Sequence, residues 1–128
     1  MTAAVLAALL ACPAGPGSRT PRLSPAPGGL LLSWQVPGPN GAALRFSRWD
    51  GKTWSKPTQV AKGPAISVNG ADFPSVVALE GGGYAAQWIE SRGEARDVRV
   101  STSADGRAWS ASAVLHADRS DSEHGFAT

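Results

Sequence analysis

The chain repeats itself, and that repeat limits what it can fold into more than any other feature. Gly28-Gly29-Leu30-Leu31-Leu32-Ser33-Trp34 returns as Gly82-Gly83-Tyr84-Ala85-Ala86-Gln87-Trp88, and Asp50-Gly51-Lys52-Thr53-Trp54-Ser55 returns as Asp105-Gly106-Arg107-Ala108-Trp109-Ser110. Trp34 to Trp88 is a step of 54, Asp50 to Asp105 a step of 55, and Pro21 to Pro74 a step of 53. Three landmarks thus keep their order with single-residue slips. A period of this length is one supersecondary unit copied, and such a unit buries its apolar surface only against its neighbours.

The punctuation inside the repeat tells what the unit is. With 15 Gly and 10 Pro among 128 residues, helices are interrupted throughout and turns between short strands are favoured. In the second copy four strands are expected, over Pro74–Leu79, Tyr84–Glu90, Val98–Thr102 and Ala113–His116. Turn residues at Glu80–Gly83, Ser91–Asp97 and Ala104–Arg107 bound them. Four antiparallel strands in every fifty-odd residues is the pattern of propeller blades. The predicted fold is all-β: one blade over 20–61, with a Pro-rich first strand, a second over 73–118, and the start of a third from Phe126. A closed ring needs at least four such units, so about two four-stranded blades are expected here, with the remaining blades missing from this chain. An intact small β domain of 128 residues is the other architecture the length admits.

Composition narrows the partners. A net charge of +2, with Lys and Arg spread singly, gives no basic stripe for nucleic acid. Met1–Ala11 is an apolar run of the length of a secretory signal core, too short for a membrane span, although no Lys or Arg precedes it. It ends in Leu9-Leu10-Ala11-Cys12, which resembles the bacterial lipobox. Residues 1–12 are therefore expected to be a signal with Cys12 as lipidation site, and 13–19 a Pro/Gly tether. That places the protein outside the cell or in the envelope, as a bacterial lipoprotein held to the membrane through its N-terminal lipid. Cys12 is the single cysteine, which excludes an internal disulfide.

Ser103-Ala104-Asp105-Gly106-Arg107-Ala108-Trp109 resembles the Asp box, or BNR repeat, of sialidases and related propellers. In the first copy, Ser47-Arg48-Trp49-Asp50-Gly51-Lys52-Thr53-Trp54, Arg48 occupies the usual serine place and Ser47 sits one residue further out. The physical reading of the motif is structural. A short Asp accepts hydrogen bonds from turn amides, Gly takes a positive φ, and Trp covers the hairpin. Asp50, Gly51, Trp54, Ser103, Asp105, Gly106 and Trp109 are therefore expected to be fold staples. If each box joins the third strand to the fourth, it shares an end with the Gly-rich turn between the first and second. The opposite end then carries Pro37–Gly41, Lys62–Asp72, Ser91–Asp97 and Ala117–Gly125. These loops are richer in Asp, Glu, His and Arg, and a site is expected among them.

The resemblance implies a six-bladed propeller when complete and, as chemistry, retaining removal of terminal sialic acid or a related glycan unit. Such chemistry uses an arginine cluster for the substrate carboxylate, a Tyr activated by Glu, and a separate acid. Asp72-Phe73-Pro74-Ser75 stands where the family has Arg-Ile-Pro-Ser, so an acid replaces an arginine. Glu90 and Arg92 resemble the Glu-x-Arg that follows, and Asp97 stands for the acid/base residue. Candidate catalytic residues are thus Asp72, Asp97 and His124, with Arg92 and Glu123 as substrate contacts. The link His116–Phe126 also reads as a solvated inter-blade loop. Tyr84, the single tyrosine, falls inside a strand, where packing is its expected role. No cofactor is implied, and no metal, for want of a His or Cys cluster. The chain alone is expected to be inactive. The competing class is a non-catalytic Asp-box propeller that binds glycan or protein.

Overall fold

A computed structural model describes residues 2–4, 6, 11–71 and 73–116. Its named elements are eight strands: β1 (Arg19–Ala26), β2 (Gly29–Gly38), β3 (Gly41–Trp49), β4 (Thr58–Gly63), β5 (Ser75–Ala78), β6 (Tyr84–Arg92), β7 (Ala95–Ser103) and β8 (Ala113–Val114). They form two four-stranded antiparallel sheets, each in sequence order: β1-β2-β3-β4 in sheet 1 and β5-β6-β7-β8 in sheet 2. The protein is all-β, and each copy of the repeat is one sheet.

Beside β6 running on to Arg92 and β8 stopping at Val114, where Glu90 and His116 were the expected ends, three features of the strands have a physical reason. β1 tolerates Pro21 and Pro25 because it is an edge strand, where a missing N–H leaves no ladder bond unmade. Its register shifts between Arg19 and Arg22, at the point where Thr20 holds a positive φ of 50°. β7 begins at Ala95 rather than Val98, so the expected Ser91–Asp97 loop contracts to a Gly93–Glu94 turn and Asp97 lies inside a strand. β5 is short because another segment takes over its place beside β6. Ser67 N–H donates to Ile89 O at 2.9 Å and Ser91 N–H to Ala65 O at 2.8 Å, so the link from sheet 1 forms the edge where β5 has not yet begun.

The two sheets pack face to face. Strand alternation turns Leu31, Leu44 and Phe46 of sheet 1 toward Val76, Ala86 and Trp88 of sheet 2, with Ala42 and Ile66 in the same cluster. Each of the larger side chains buried here contributes roughly 1.5–3 kcal/mol over its exposed state. Polar bonds tie sheet 1 to β5 and to the link between the sheets. Ser24 Oγ donates to Val76 O at 2.8 Å, and the fully buried Gln35 accepts from Thr20 Oγ1 at 2.9 Å while donating to Ser67 O at 2.8 Å. Contacts between β5 and both β1 and β2 bring the first strand of each sheet close to that of the other. The second face of sheet 2 has no such cover among the described residues. Ser75, Val77, Ala85, Gln87, Val100 and Leu115 line a shallow hollow there of about 200 Å³.

The turns sort by end as anticipated. Leu30 pairs with Trp49 and Tyr84 with Ser103, so each Asp box stands beside the Gly-rich turn of its own sheet. The β2–β3 and β6–β7 turns lie at the other end.

Candidate functional site

At the β6–β7 turn Arg92 stands opposite Ala95, which sets Glu90 opposite Asp97 and Trp88 opposite Arg99. All share the face of sheet 2 that turns toward sheet 1. Two carboxylates on directly opposed rungs repel each other. Diagonal pairing relieves this: Arg92 Nε donates to Asp97 Oδ2 at 3.2 Å, and Arg99 Nε lies 3.7 Å from Glu90 Oε2. Glu90 also accepts from the Trp88 indole at 3.0 Å, and Arg99 Nη2 donates to Ser112 Oγ at 2.8 Å and Ser112 O at 3.1 Å. His116 Nε2 accepts from the Val98 N–H at 3.2 Å and lies 3.9 Å from Asp97 Oδ1. Those two contacts ask for different protonation states. The N–H···N bond has the better geometry and requires a neutral ring with its proton on Nδ1.

Of the residues the sequence singled out, Arg92 and Asp97 are therefore brought into direct contact. Asp72, Glu123 and His124 lie outside the described residues. The Asp97 side chain is 7% exposed against 39% for Arg92, so the carboxylate faces the sheet interior and the guanidinium reaches water. A general acid must present its proton to a ligand, whereas this arrangement positions Arg92. Sequence reasoning missed Arg99 and His116. Their signal was the turn: once Gly93–Glu94 is the hairpin, counting back along the ladder brings Arg99 level with Trp88, and the residues just after β8 add His116. Tyr84 lies at the opposite end, its ring 5.5 Å from Phe46 and its hydroxyl 3.4 Å from Arg48 Nη1, away from every one of these groups. No group of three metal-ligating side chains occurs among the described residues.

The Asp boxes behave as turn devices. Asp105 Oδ1 accepts from the N–H groups of Arg107 and Ala108, at 2.8 and 3.0 Å, and Asp50 Oδ1 from those of Lys52 and Thr53, both at 2.8 Å. These bonds hold both carboxyls below the ordinary value of 3.8: the Thr53 and then the Lys52 amide for Asp50, the Arg107 and then the Ala108 amide for Asp105. Gly51 and Gly106 take φ of 98° and 80°.

The structure corrects the alignment of the first box. Ser47 Oγ donates to Ser55 O at 2.5 Å and Ser55 Oγ accepts from Arg48 N–H at 2.9 Å. In sheet 2, Ser101 and Ser110 repeat these bonds at 2.7 Å and, onto Thr102 N–H, at 3.0 Å. Ser47 is thus the counterpart of Ser101, and Arg48 that of Thr102. The rung of Ser103 is taken by Trp49, because the first turn is one residue shorter.

Among described residues of the apolar leader, Leu6 N–H bonds to Thr2 O at 3.1 Å, a single helical turn, and no described helix is long and apolar enough to cross a membrane. Cys12 is exposed.

No protein-family profile and no curated protein matches the chain. Among solved structures, it is similar to a protein from Parabacteroides distasonis ATCC 8503 described as a candidate glycoside hydrolase, at 17% identity and a TM-score of 0.50. The match covers 73% of this chain and 31% of that one. A protein from Bacteroides thetaiotaomicron VPI-5482, described as a candidate glycosidase, matches at 14% identity and a TM-score of 0.46 over the same shares. The first likeness shows a shared fold. The chain spans about a third of the length of each of these proteins.

Proposed function

We propose that the two sheets are consecutive blades of a sialidase-like β-propeller that engages glycan at the cell envelope, at the end carrying the β6–β7 turn. The observation that carries this reading is the aligned stacking of two like sheets. Their first strands are in contact, their Asp-box turns lie at one end, and sheet 2 carries Glu90, Arg92, Asp97 and Arg99 toward the other. Arg92, held by Asp97, is the cation offered to an acidic or hydroxyl-rich sugar, with Asp72, Glu123 and His124 as further contacts from the adjoining links. Cys12 is proposed as the acylated residue that tethers the protein to the membrane.

Within this reading the hydrolytic step is retaining cleavage of a terminal sialic acid. Its tyrosine nucleophile and remaining arginines come from other blades, since Tyr84 is packed at the wrong end. A second reading, a propeller that binds glycan or protein without cleaving, draws on one specific feature: Glu90 and Asp97 are both engaged by cations within the sheet. The test is turnover of a fluorogenic sialoside by the gene product that carries this chain, together with calorimetric titration of sialyllactose. Hydrolysis with retained configuration supports the enzyme. Binding that Arg92→Gln weakens, without hydrolysis, supports the binder. The absence of both binding and turnover would overturn the glycan reading.

A further inference from the structure

A cleft of about 500 Å³ lies at the Asp-box end, between the two sheets and away from Arg92. Its lining includes Phe46, Arg48, Lys56, Pro57, Tyr84 and Arg107. Each arrives there for a reason already visible in the fold. Arg48 is on β3, on the face turned to sheet 2, and its guanidinium is fixed by donation to Pro27 O and, at 3.4 Å, to the Tyr84 hydroxyl. Lys56 and Pro57 follow the first Asp box, and Arg107 sits in the second.

The charge in this cleft is not balanced. None of Arg48, Lys56 and Arg107 lies within ion-pair distance of a carboxylate among the described residues. Asp105 borders the cleft as its one carboxylate, with Oδ1 accepting from two turn amides and the Ser103 hydroxyl, so the cations outnumber the anion three to one. Three cations thus face a hollow whose wall is the Tyr84 ring, Pro57 and the edge of Phe46. Cations select an anion, and an aromatic wall with a proline beside it accepts the C–H face of a sugar ring. The volume is in the range of pockets that enclose a small ligand.

We propose that this cleft binds an acidic saccharide, with its carboxylate or sulfate on Arg48, Lys56 and Arg107 and its ring against Tyr84 and Pro57. The site joins residues of both sheets, so an occupant bridges them. It is separate from the glycan site proposed at the other end and does not depend on it.

The test is titration of the full chain with digalacturonate, lactose and sodium sulfate, followed by backbone amide shifts. Digalacturonate is expected to bind, moving the amides of Arg48, Lys56 and Arg107, and to weaken as salt rises. Lactose is expected not to bind. Arg107→Ala leaves the turn intact, because Asp105 uses the Arg107 backbone N–H and not its side chain. This variant is expected to reduce affinity about tenfold, and Arg48→Gln at least as much. Arg92→Gln, at the far end, leaves binding unchanged. Four results would overturn the proposal: no digalacturonate binding up to about 5 mM, equal binding of lactose, unchanged affinity in Arg107→Ala, or sulfate displacing digalacturonate at equal concentration, which marks an unselective anion site.

Discussion

The two Asp-box hairpins start from nearly the same sequence and end in different packing. In the second, Ser103 Oγ accepts from Gly106 N–H at 2.8 Å, and the Trp109 indole donates to Gly106 O at 3.1 Å. The Trp109 ring meets Phe46 of sheet 1 edge-on at 6.1 Å. In the first, Trp49 holds the serine's rung and its ring lies 5.6 Å from that of Trp54. Trp49 and Phe46 are three residues apart on β3, so they stand on opposite faces. The second hairpin therefore joins two sheets, and the first closes on itself at the face turned away. The Asp turn is common to both, and the neighbour decides what its tryptophan does. Where an aromatic is offered from the next sheet, the indole reaches across. Where none is offered among the described residues, the strand supplies its own.

The largest expected difference follows from that contrast. Phe46→Ala removes the partner of both Tyr84 and Trp109 from a buried position and is expected to cost about 3–5 kcal/mol, read from urea unfolding. Trp54→Ala, half-buried against one ring of its own hairpin, is expected to cost less than half as much. Equal losses would mean that the second hairpin has no special place in the assembly.

Glycine separates the hairpins more finely. A Cβ at Gly106 would lie 3.0 Å from the Phe46 ring and 3.3 Å from Tyr84, whereas at Gly51 it would meet only Gly28 O, at 3.8 Å. Both positions carry the positive-φ strain, of about 1–2 kcal/mol. Gly51→Ala is expected to show that strain alone. Gly106→Ala adds displacement of the aromatic junction, so its loss is expected to exceed that of Gly51→Ala by about 1 kcal/mol. Ser103→Ala, which leaves Gly106 N–H without its acceptor, is expected to cost about 1 kcal/mol. Sheet 1 has no serine on that rung to remove.

The smallest effect is the one the hairpins share. Asp50 and Asp105 both have carboxyls held below 3.8 by backbone amides. A depressed folded value means the stabilisation is full above about pH 4 and is lost as the pH falls through the folded values. Acid unfolding should steepen below pH 4, and Asp105→Asn should remove part of that dependence without changing stability's slope near neutrality.

Much of this architecture was legible in the sequence, because a repeated pair of motifs fixes the number of units and turn residues fix the strand count. The two turn ends were legible for the same reason, since antiparallel alternation leaves no choice once the Asp boxes are hairpins. The β6–β7 boundary was not. Arg92, Glu94, Arg96 and Asp97 read as a loop, yet Arg92 pairs with Asp97 and Arg99 with Glu90 along diagonals, and the ladder runs to Ala95. The same compensation hid the candidate site: Asp97 was legible as a loop carboxylate beside Arg92, but only the register reveals Arg99 beside Glu90 and His116 beside Asp97. The Ser47–Ser55 staple was missed because a one-residue difference in turn length made Ser47 look like a displaced Asp-box serine.

The central claim is that one aromatic junction, Phe46 with Trp109, couples the two repeats. A double-mutant cycle on Phe46→Ala and Trp109→Ala, measured by equilibrium urea unfolding, tests it directly. The account predicts a coupling of about 1 kcal/mol between the two substitutions. Losses that simply add would contradict it and leave the two sheets joined by burial elsewhere.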